Sequence, residues 1–205
     1  MNLTIFKPFG PSIVKFSITK ELINELNKYT DNIINDHNKA KDLDHGHNLV
    51  GQVTQEILLE KDFMKRIKWG ELLASVCKKW LNVEDNKKNL QNFKILNSWI
   101  VRQFQNEYNP VHWHKGHISG VGYLKVPENN KKSLKKHNET DGKLVLIDGT
   151  KNLFSKGIYT ITPKVGDFYM FPNNMMHTVY PFYGTDEERR SISFNGVMDL
   201  ESSVY

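Results

Sequence analysis

The sequence predicts a mainly β fold with flanking helices, a sandwich or jelly roll that carries its N-terminal helices on the outside. Two observations carry that expectation. Apolar residues recur at helical spacing only before about residue 92, whereas from Phe93 onward short β-type runs are separated by turn residues. Prolines at 110, 127, 163, 172 and 181 fall in or beside the gaps between those runs, where strands tolerate them.

Taken in order, the first helix is expected after a cap at Thr19, because Leu22, Leu26, Tyr29 and Ile33 follow at helical spacing. His37–Gly51 is polar and turn-rich and reads as a loop. A second amphipathic helix is expected over 61–82, carried by Phe63, Ile67, Leu72, Leu73, Val76 and Trp80. The polar stretch Asn82–Asn92 ends the helical half. Strands are then expected near 94–104, 111–114, 118–126, 143–148, 158–162, 167–171, 177–180 and 190–198. No internal repeat or linker interrupts the chain, so it reads as a single domain over 1–205, with a mostly helical support region at 1–92 and a β core at 93–200.

Composition narrows the function. With 39% apolar and 25% charged residues the chain has the make-up of a soluble globular protein. No run approaches the roughly 20 apolar residues of a membrane span, and Met1–Phe16 lacks the charged, apolar, small-residue order of a signal peptide. A single cysteine, Cys77, rules out an internal disulfide and points to a reducing, cytoplasmic setting. The net charge of +5 invites a nucleic-acid partner. Much of the excess, however, sits in Lys131, Lys132, Lys135 and Lys136 within Glu128–Gly142, without the interleaved aromatics of a base-stacking platform. A solvated hairpin loop accounts for it better.

The chemistry gathers in histidines. Residues two apart in an extended segment point the same way, so His112 and His114 can both reach one metal ion. A third ligand must come from elsewhere in the fold, and His177, after Gly166–Pro172 and before another short strand, is the candidate. Imidazole nitrogens suit Fe, Zn, Cu or Ni. One cysteine in a helix does not make a closed zinc site. No phosphate loop, dinucleotide-binding turn or serine nucleophile elbow is present, which leaves open-coordination metal chemistry.

The last strand adds a second signal. Alternation puts Arg189, Ser191, Ser193 and Asn195 on one face, and Arg190, Ile192 and Phe194 on the other. The first face is polar and costly to bury without a polar ligand. An arginine with a hydroxyl two residues on can hold a carboxylate through charge-assisted bonds worth about 1.5–3 kcal/mol each. An ordinary edge strand with solvated side chains is the competing account.

In this order the motifs resemble the core of the 2-oxoglutarate/Fe(II) oxygenases, in particular a prolyl-hydroxylase-like branch of small proteins with His-x-His before Ser-Gly-Val-x-Tyr. The resemblance runs from Ile95 to Val197 through Tyr108-Asn-Pro-Val-His-Trp-His114, Ser119-Gly-Val-Gly-Tyr123, Gly142–Asp148, Pro163–Pro172, His177-Thr-Val-Tyr-Pro181 and Arg189-Arg-Ser-Ile-Ser-Phe-Asn195. It implies a double-stranded β-helix (jelly roll) for the 93–200 core, with iron at one end. It further implies Fe(II) ligands at His112 and His177, and Arg189 with Ser191 on the distal carboxylate of 2-oxoglutarate. Tyr123 is implied as a hydrogen-bond partner of the cosubstrate, a role it shares with plain packing. The implied reaction consumes O₂ and hydroxylates a C–H bond of a primary substrate, releasing succinate and CO₂.

One position departs from the pattern. The family's usual ligand set is two histidines and a carboxylate, and the carboxylate's place is taken here by His114. Three imidazoles keep the geometry and lose one negative charge. His117, three residues on, is expected to lie beyond the metal. A cupin on the same barrel is disfavoured, because Lys115–Gly120 has no acidic residue and His177 lies eleven residues past Gly166. The other alternative is a non-enzymatic jelly-roll module with a retired or zinc-binding site.

Overall fold

The computed structural model describes residues 3–6, 10–84, 88–128, 140–149, 153 and 156–202. Its strands are β1 (Leu3–Phe6), β2 (Ile13–Ser17), β3 (Gln55–Leu58), β4 (Lys88–Gln103), β5 (Asn109–His112), β6 (Ile118–Lys125), β7 (Leu144–Ile147), β8 (Ile158–Ile161), β9 (Asp167–Pro172), β10 (Met176–Val179) and β11 (Arg189–Ser202). Its helices are α1 (Lys20–Ile34), α2 (His37–Asp42), α3 (Lys61–Arg66) and α4 (Trp69–Glu84). The strands form a seven-stranded antiparallel sheet in the order β1-β2-β9-β6-β11-β4-β3 and a four-stranded one in the order β5-β10-β7-β8. This is the mainly β, jelly-roll architecture that the sequence predicts.

The middle of the large sheet is covered on both faces. One core packs its Ile100, Ile118, Phe168, Met170, Ile192 and Phe194 against the helices, through Leu26, Trp69, Leu73 and Val76. A second core fills the space between the sheets, with Tyr123, Tyr169 and Phe171 meeting Leu144, Leu146 and Ile161. The Ser-Gly-Val-Gly-Tyr motif serves the first core with its glycines. A β-carbon on Gly122 would stand 2.2 Å from Phe168 Cδ2, and one on Gly120 would stand 2.6 Å from Phe194 Cε1. Two large rings can therefore lie on β6 only because both positions lack side chains. The residues that alternate with them, Val121 and Tyr123, turn to the opposite face.

The helical region departs from expectation in three places. Thr19 does cap α1, accepting from the Leu22 N–H at 3.2 Å, but the buried stripe starts at Ile23 rather than Leu22. The single helix expected over 61–82 is two, broken at Lys68, whose φ of 53° lies in the left-handed region. The break gives α4 a fresh stripe of Trp69, Leu73, Val76, Cys77 and Trp80, anchored by the Trp69 indole donating to Ser98 Oγ on β4 at 3.1 Å. His37–Gly51, expected as a loop, contains α2, capped by Asp36 Oδ1, which accepts from the Asn38 and Lys39 N–H groups. No residue of α2 is buried, so no apolar stripe marks it.

The N-terminal region is also not only helical. It supplies both edges of the large sheet, with β1 and β2 on one side and β3 on the other. Those strands are four or five residues long, too short for alternation to stand out. No helix among the described residues is long and apolar enough to cross a membrane. Of the lysine-rich stretch Glu128–Gly142, residues 129–139 lie outside the described residues.

Candidate functional site

Register brings two of the histidines together. Strands β5 and β10 pair so that His177 stands directly opposite His112. His114 lies two residues past β5, where Asn173 holds its backbone: His114 N–H donates to Asn173 O at 3.0 Å, and Asn173 Nδ2 donates to His114 O at 2.9 Å. The ring centroids are 4.2 Å apart for His112–His177, 4.9 Å for His112–His114 and 5.0 Å for His114–His177. One nitrogen from each lies within 4.8 Å of the others, which suits a single ion.

The protonation pattern suits a metal as well. His112 Nδ1 sits 2.7 Å from Pro110 O and His177 Nδ1 sits 2.9 Å from Met175 O. A carbonyl only accepts, so both Nδ1 atoms carry the proton and both Nε2 atoms keep a free lone pair. Burial holds all three rings neutral. It lowers His112 against the pull of the Pro110 carbonyl, takes His114 down to about 4 with help from His112, and takes His177 down to about 3 with help from both neighbours. His117 stands apart from the triplet. Its backbone N–H donates to Gly196 O and its Nδ1 accepts from Met198 N–H at 3.0 Å, so β11 orients it.

The histidines open onto a cavity of about 570 Å³ between the two sheets. Its far wall is β11, whose residues alternate as expected: Arg189, Ser191, Ser193 and Asn195 line the cavity. Arg190 turns to the helices, where it donates to Asp31 and Glu188, each at 2.8 Å, and to Asn27. Arg189 is buried, donates from Nη1 to Gly142 O at 2.8 Å, and lies 5.3 Å from the Tyr123 ring centroid. Its Nε has no hydrogen-bond partner, and neither has the Tyr123 hydroxyl. Burial pulls the guanidinium down from its ordinary value, with Tyr123 opposing, and pushes the Tyr123 phenol up to about 12. No carboxylate among the described residues pairs with Arg189. An unshared guanidinium and a phenol in a dry wall are costly unless an anion completes them, and a carboxylate of 2-oxoglutarate has the chemistry to do so.

The cavity also holds polar groups that sequence reasoning missed. Glu56 Oε2, Asn97 Oδ1 and Asn109 Oδ1 are buried without partners, and all three residues are in its wall. Burial pushes Glu56 up to about 7; the Asp44 charge adds to this, and the nearby Trp99 indole opposes it. Glu56 lies in the run Gln55-Glu-Ile-Leu58, where nothing in the local pattern sets it apart from a surface carboxylate.

The comparisons agree with this geometry. Residues 97–195 match the family described as "Putative 2OG-Fe(II) oxygenase". No curated protein sequence matches the chain. Among solved structures, a Pseudomonas putida prolyl-4-hydroxylase is 14% identical, with 91% of each chain covered and a TM-score of 0.57. A Trichoplax adhaerens prolyl hydroxylase, in complex with a hypoxia inducible factor peptide fragment, is 13% identical, covering 94% of this chain and 81% of its own, with a TM-score of 0.55. HygX from Streptomyces hygroscopicus, with nickel, 2-oxoglutarate and hygromycin B bound, is 12% identical, covering 94% and 84%, with a TM-score of 0.54. At such identities the likeness speaks for the fold. The His112–His114–His177 group and the unpaired Arg189 fit the Fe(II) and 2-oxoglutarate of that family.

Proposed function

We propose that this chain, whose β core matches the 2-oxoglutarate/Fe(II) oxygenase family over residues 97–195, holds Fe(II) on His112, His114 and His177 and hydroxylates a C–H bond of its primary substrate. The balance is one O₂ and one 2-oxoglutarate consumed, one hydroxyl placed on the substrate, and one succinate and one CO₂ released. The observation that carries this reading is the pairing, in one cavity, of three neutral imidazoles with a buried arginine that lacks a counter-ion.

When bound, Fe(II) supplies the O₂ chemistry coupled to decarboxylation of the keto acid. The chain's own residues do the rest. The Pro110 and Met175 carbonyls fix the tautomers of His112 and His177, so that each Nε2 keeps the lone pair that would hold the metal. Arg189 binds a carboxylate of 2-oxoglutarate through its free Nε, the Tyr123 hydroxyl donates a further bond, and Ser191 stands beside them on the same strand face. Leu144, Phe171 and Val179 line the same cavity and limit water. A zinc-binding structural module leaves the unpaired Arg189 and Tyr123 without an explanation.

The test is a calorimetric titration of 2-oxoglutarate into Mn(II)-loaded protein without O₂, followed by succinate release from the Fe(II) form in air. Binding that needs the metal and is lost in His112→Ala and His177→Ala is expected. A metal-loaded parent that ignores 2-oxoglutarate would sink the oxygenase reading.

A further inference from the structure

The cavity has a second polar end, which neither the metal nor the cosubstrate uses. Glu56 on β3 is 2% exposed, its Oε2 has no partner, and it stands in the cavity wall. Asn109 Oδ1, buried and unpartnered too, is its neighbour. Gly51 keeps the space beside them open. A β-carbon there would lie 3.1 Å from Asn109 Oδ1 and 3.1 Å from Glu56 Oε1, so the two oxygens flank a gap that a single methyl group would fill. Asp44 stands behind: a β-carbon on Gly46 would lie 3.3 Å from Asp44 Oδ1 and 3.8 Å from Glu56 Oε2.

We infer that this end receives a nitrogen cation of the primary substrate, an alkylammonium or guanidinium group held by Glu56 and Asn109, an assignment that rests on the oxygenase reading. The wall offers oxygen acceptors where a ligand must bring donors. A cation fits better than a neutral hydroxyl, because Asp44 and Glu56 together leave a negative field that no described lysine or arginine pairs in this corner. Lys115 also lines the cavity but is exposed, and Arg189 serves the cosubstrate end. Burial and the Asp44 charge hold the Glu56 carboxyl near 7, and a cation beside it restores its acidity. A metal ion is the wrong occupant. The only group of three or more histidine, cysteine, aspartate or glutamate side chains compact enough for one, among the described residues, is the histidine triplet. Trp99 links the two ends: its indole stands beside Glu56 in the cavity wall, and its ring centroid is 5.8 Å from that of His114. One indole's breadth between anchor and metal suits a short carbon chain between the nitrogen and the carbon attacked.

The experiment titrates agmatine, n-butylamine and n-butanol into full-length protein loaded with Mn(II) and 2-oxoglutarate, without O₂. Both amines are expected to bind at least about tenfold more tightly than butanol. Glu56→Gln keeps the shape and loses the charge, so amine affinity should fall about tenfold or more while 2-oxoglutarate affinity holds, which also reports that the variant is folded. Asn109→Asp, which adds a charge at the second oxygen, should raise amine affinity. Arg189→Ala should reverse the pattern, losing 2-oxoglutarate and keeping the amines. Three results, each with 2-oxoglutarate still bound, would overturn the assignment: butanol equal to the amines, no amine binding, or Glu56→Gln equal to the parent. If the parent itself fails to bind 2-oxoglutarate, the oxygenase reading falls instead, and amine titration of the Mn(II) form still decides this site.

Discussion

Arg189 and Arg190 are chain neighbours on one strand, both buried, and they live in opposite electrostatic worlds. Arg190 has its charge answered by Glu188 and Asp31 and its remaining donors taken by Asn27. Arg189 has one carbonyl, the face of Tyr123 and an unpartnered Nε. Burial alone does not separate them, since they are 3% and 0% exposed. Completeness does: a charge whose partners are all in the chain serves the fold, and one left incomplete waits for something from outside.

The largest expected effects come from cutting the two arginines separately. Arg190→Ala leaves the partly buried Glu188 with only Arg102 and the more distant Lys125 near it, and strips α1 of its hydrogen-bonded tie to β11. Arg102 still answers Glu188 at 2.8 Å and Asp31 is half exposed, so the expected loss is that of charge-assisted hydrogen bonds, about 1.5–3 kcal/mol, and the urea midpoint should fall. Arg189→Ala removes an unshared charge and should leave stability unchanged or slightly raised, while 2-oxoglutarate affinity falls on the order of 10²-fold. Arg189→Lys keeps the charge without the planar fork, so its defect should be partial. The comparison breaks if Arg190→Ala is the variant that loses the cosubstrate at unchanged stability.

A smaller effect is expected at the metal. His114→Asp returns a negative charge to the ligand set and should raise Fe(II) or Mn(II) affinity by about tenfold, read by metal titration. His117→Ala should leave it unchanged, since that ring is held by β11 outside the triplet. Loss of binding in both variants would move the site to His114 and His117.

How much of this was legible depended on whether the pattern was local. The strands of the β core are long enough, or bounded sharply enough by turns, for their alternation to be read, and the same alternation told Arg189 from Arg190. The His-x-His spacing set two histidines on one side, and the register of β5 against β10 brought His177 opposite the first of them. What escaped was set by distant partners. Lys68 breaks a helix just before Trp69, whose indole donates to Ser98 on the distant β4. Likewise β1, β2 and β3 are short segments made into strands by the edges they complete. Glu56 is an undistinguished carboxylate until Asp44, Trp99 and the cavity wall surround it.

The acidic residues repeat the contrast between the arginines, with a pH dependence of opposite sign. Glu188 lies between Arg190 and Arg102, whose hydrogen bonds and charges outweigh its burial and hold its carboxyl below the ordinary value. It contributes stability that is present above the unfolded-state value and is lost as the pH falls through the folded one. Glu56 has no such partner and is pushed up from 4.5 to about 7. Between those values the folded protein holds a proton on Glu56 that the unfolded chain releases. Its contribution is therefore full at acid pH and is lost as the pH rises toward 7. The three histidines act the other way over part of the same range, since rings kept neutral by burial leave the unfolded chain to take up protons below its ordinary 6.5. The parent's pH profile is therefore a sum, and Glu56→Gln isolates one component. With metal-free protein in urea, the stability of Glu56→Gln relative to the parent should rise between pH 5 and 7.5, by ~1 kcal/mol or more. A difference that stays flat across that window would mean that Glu56 is already ionised, and hence that its charge is answered in the apo protein as that of Glu188 is.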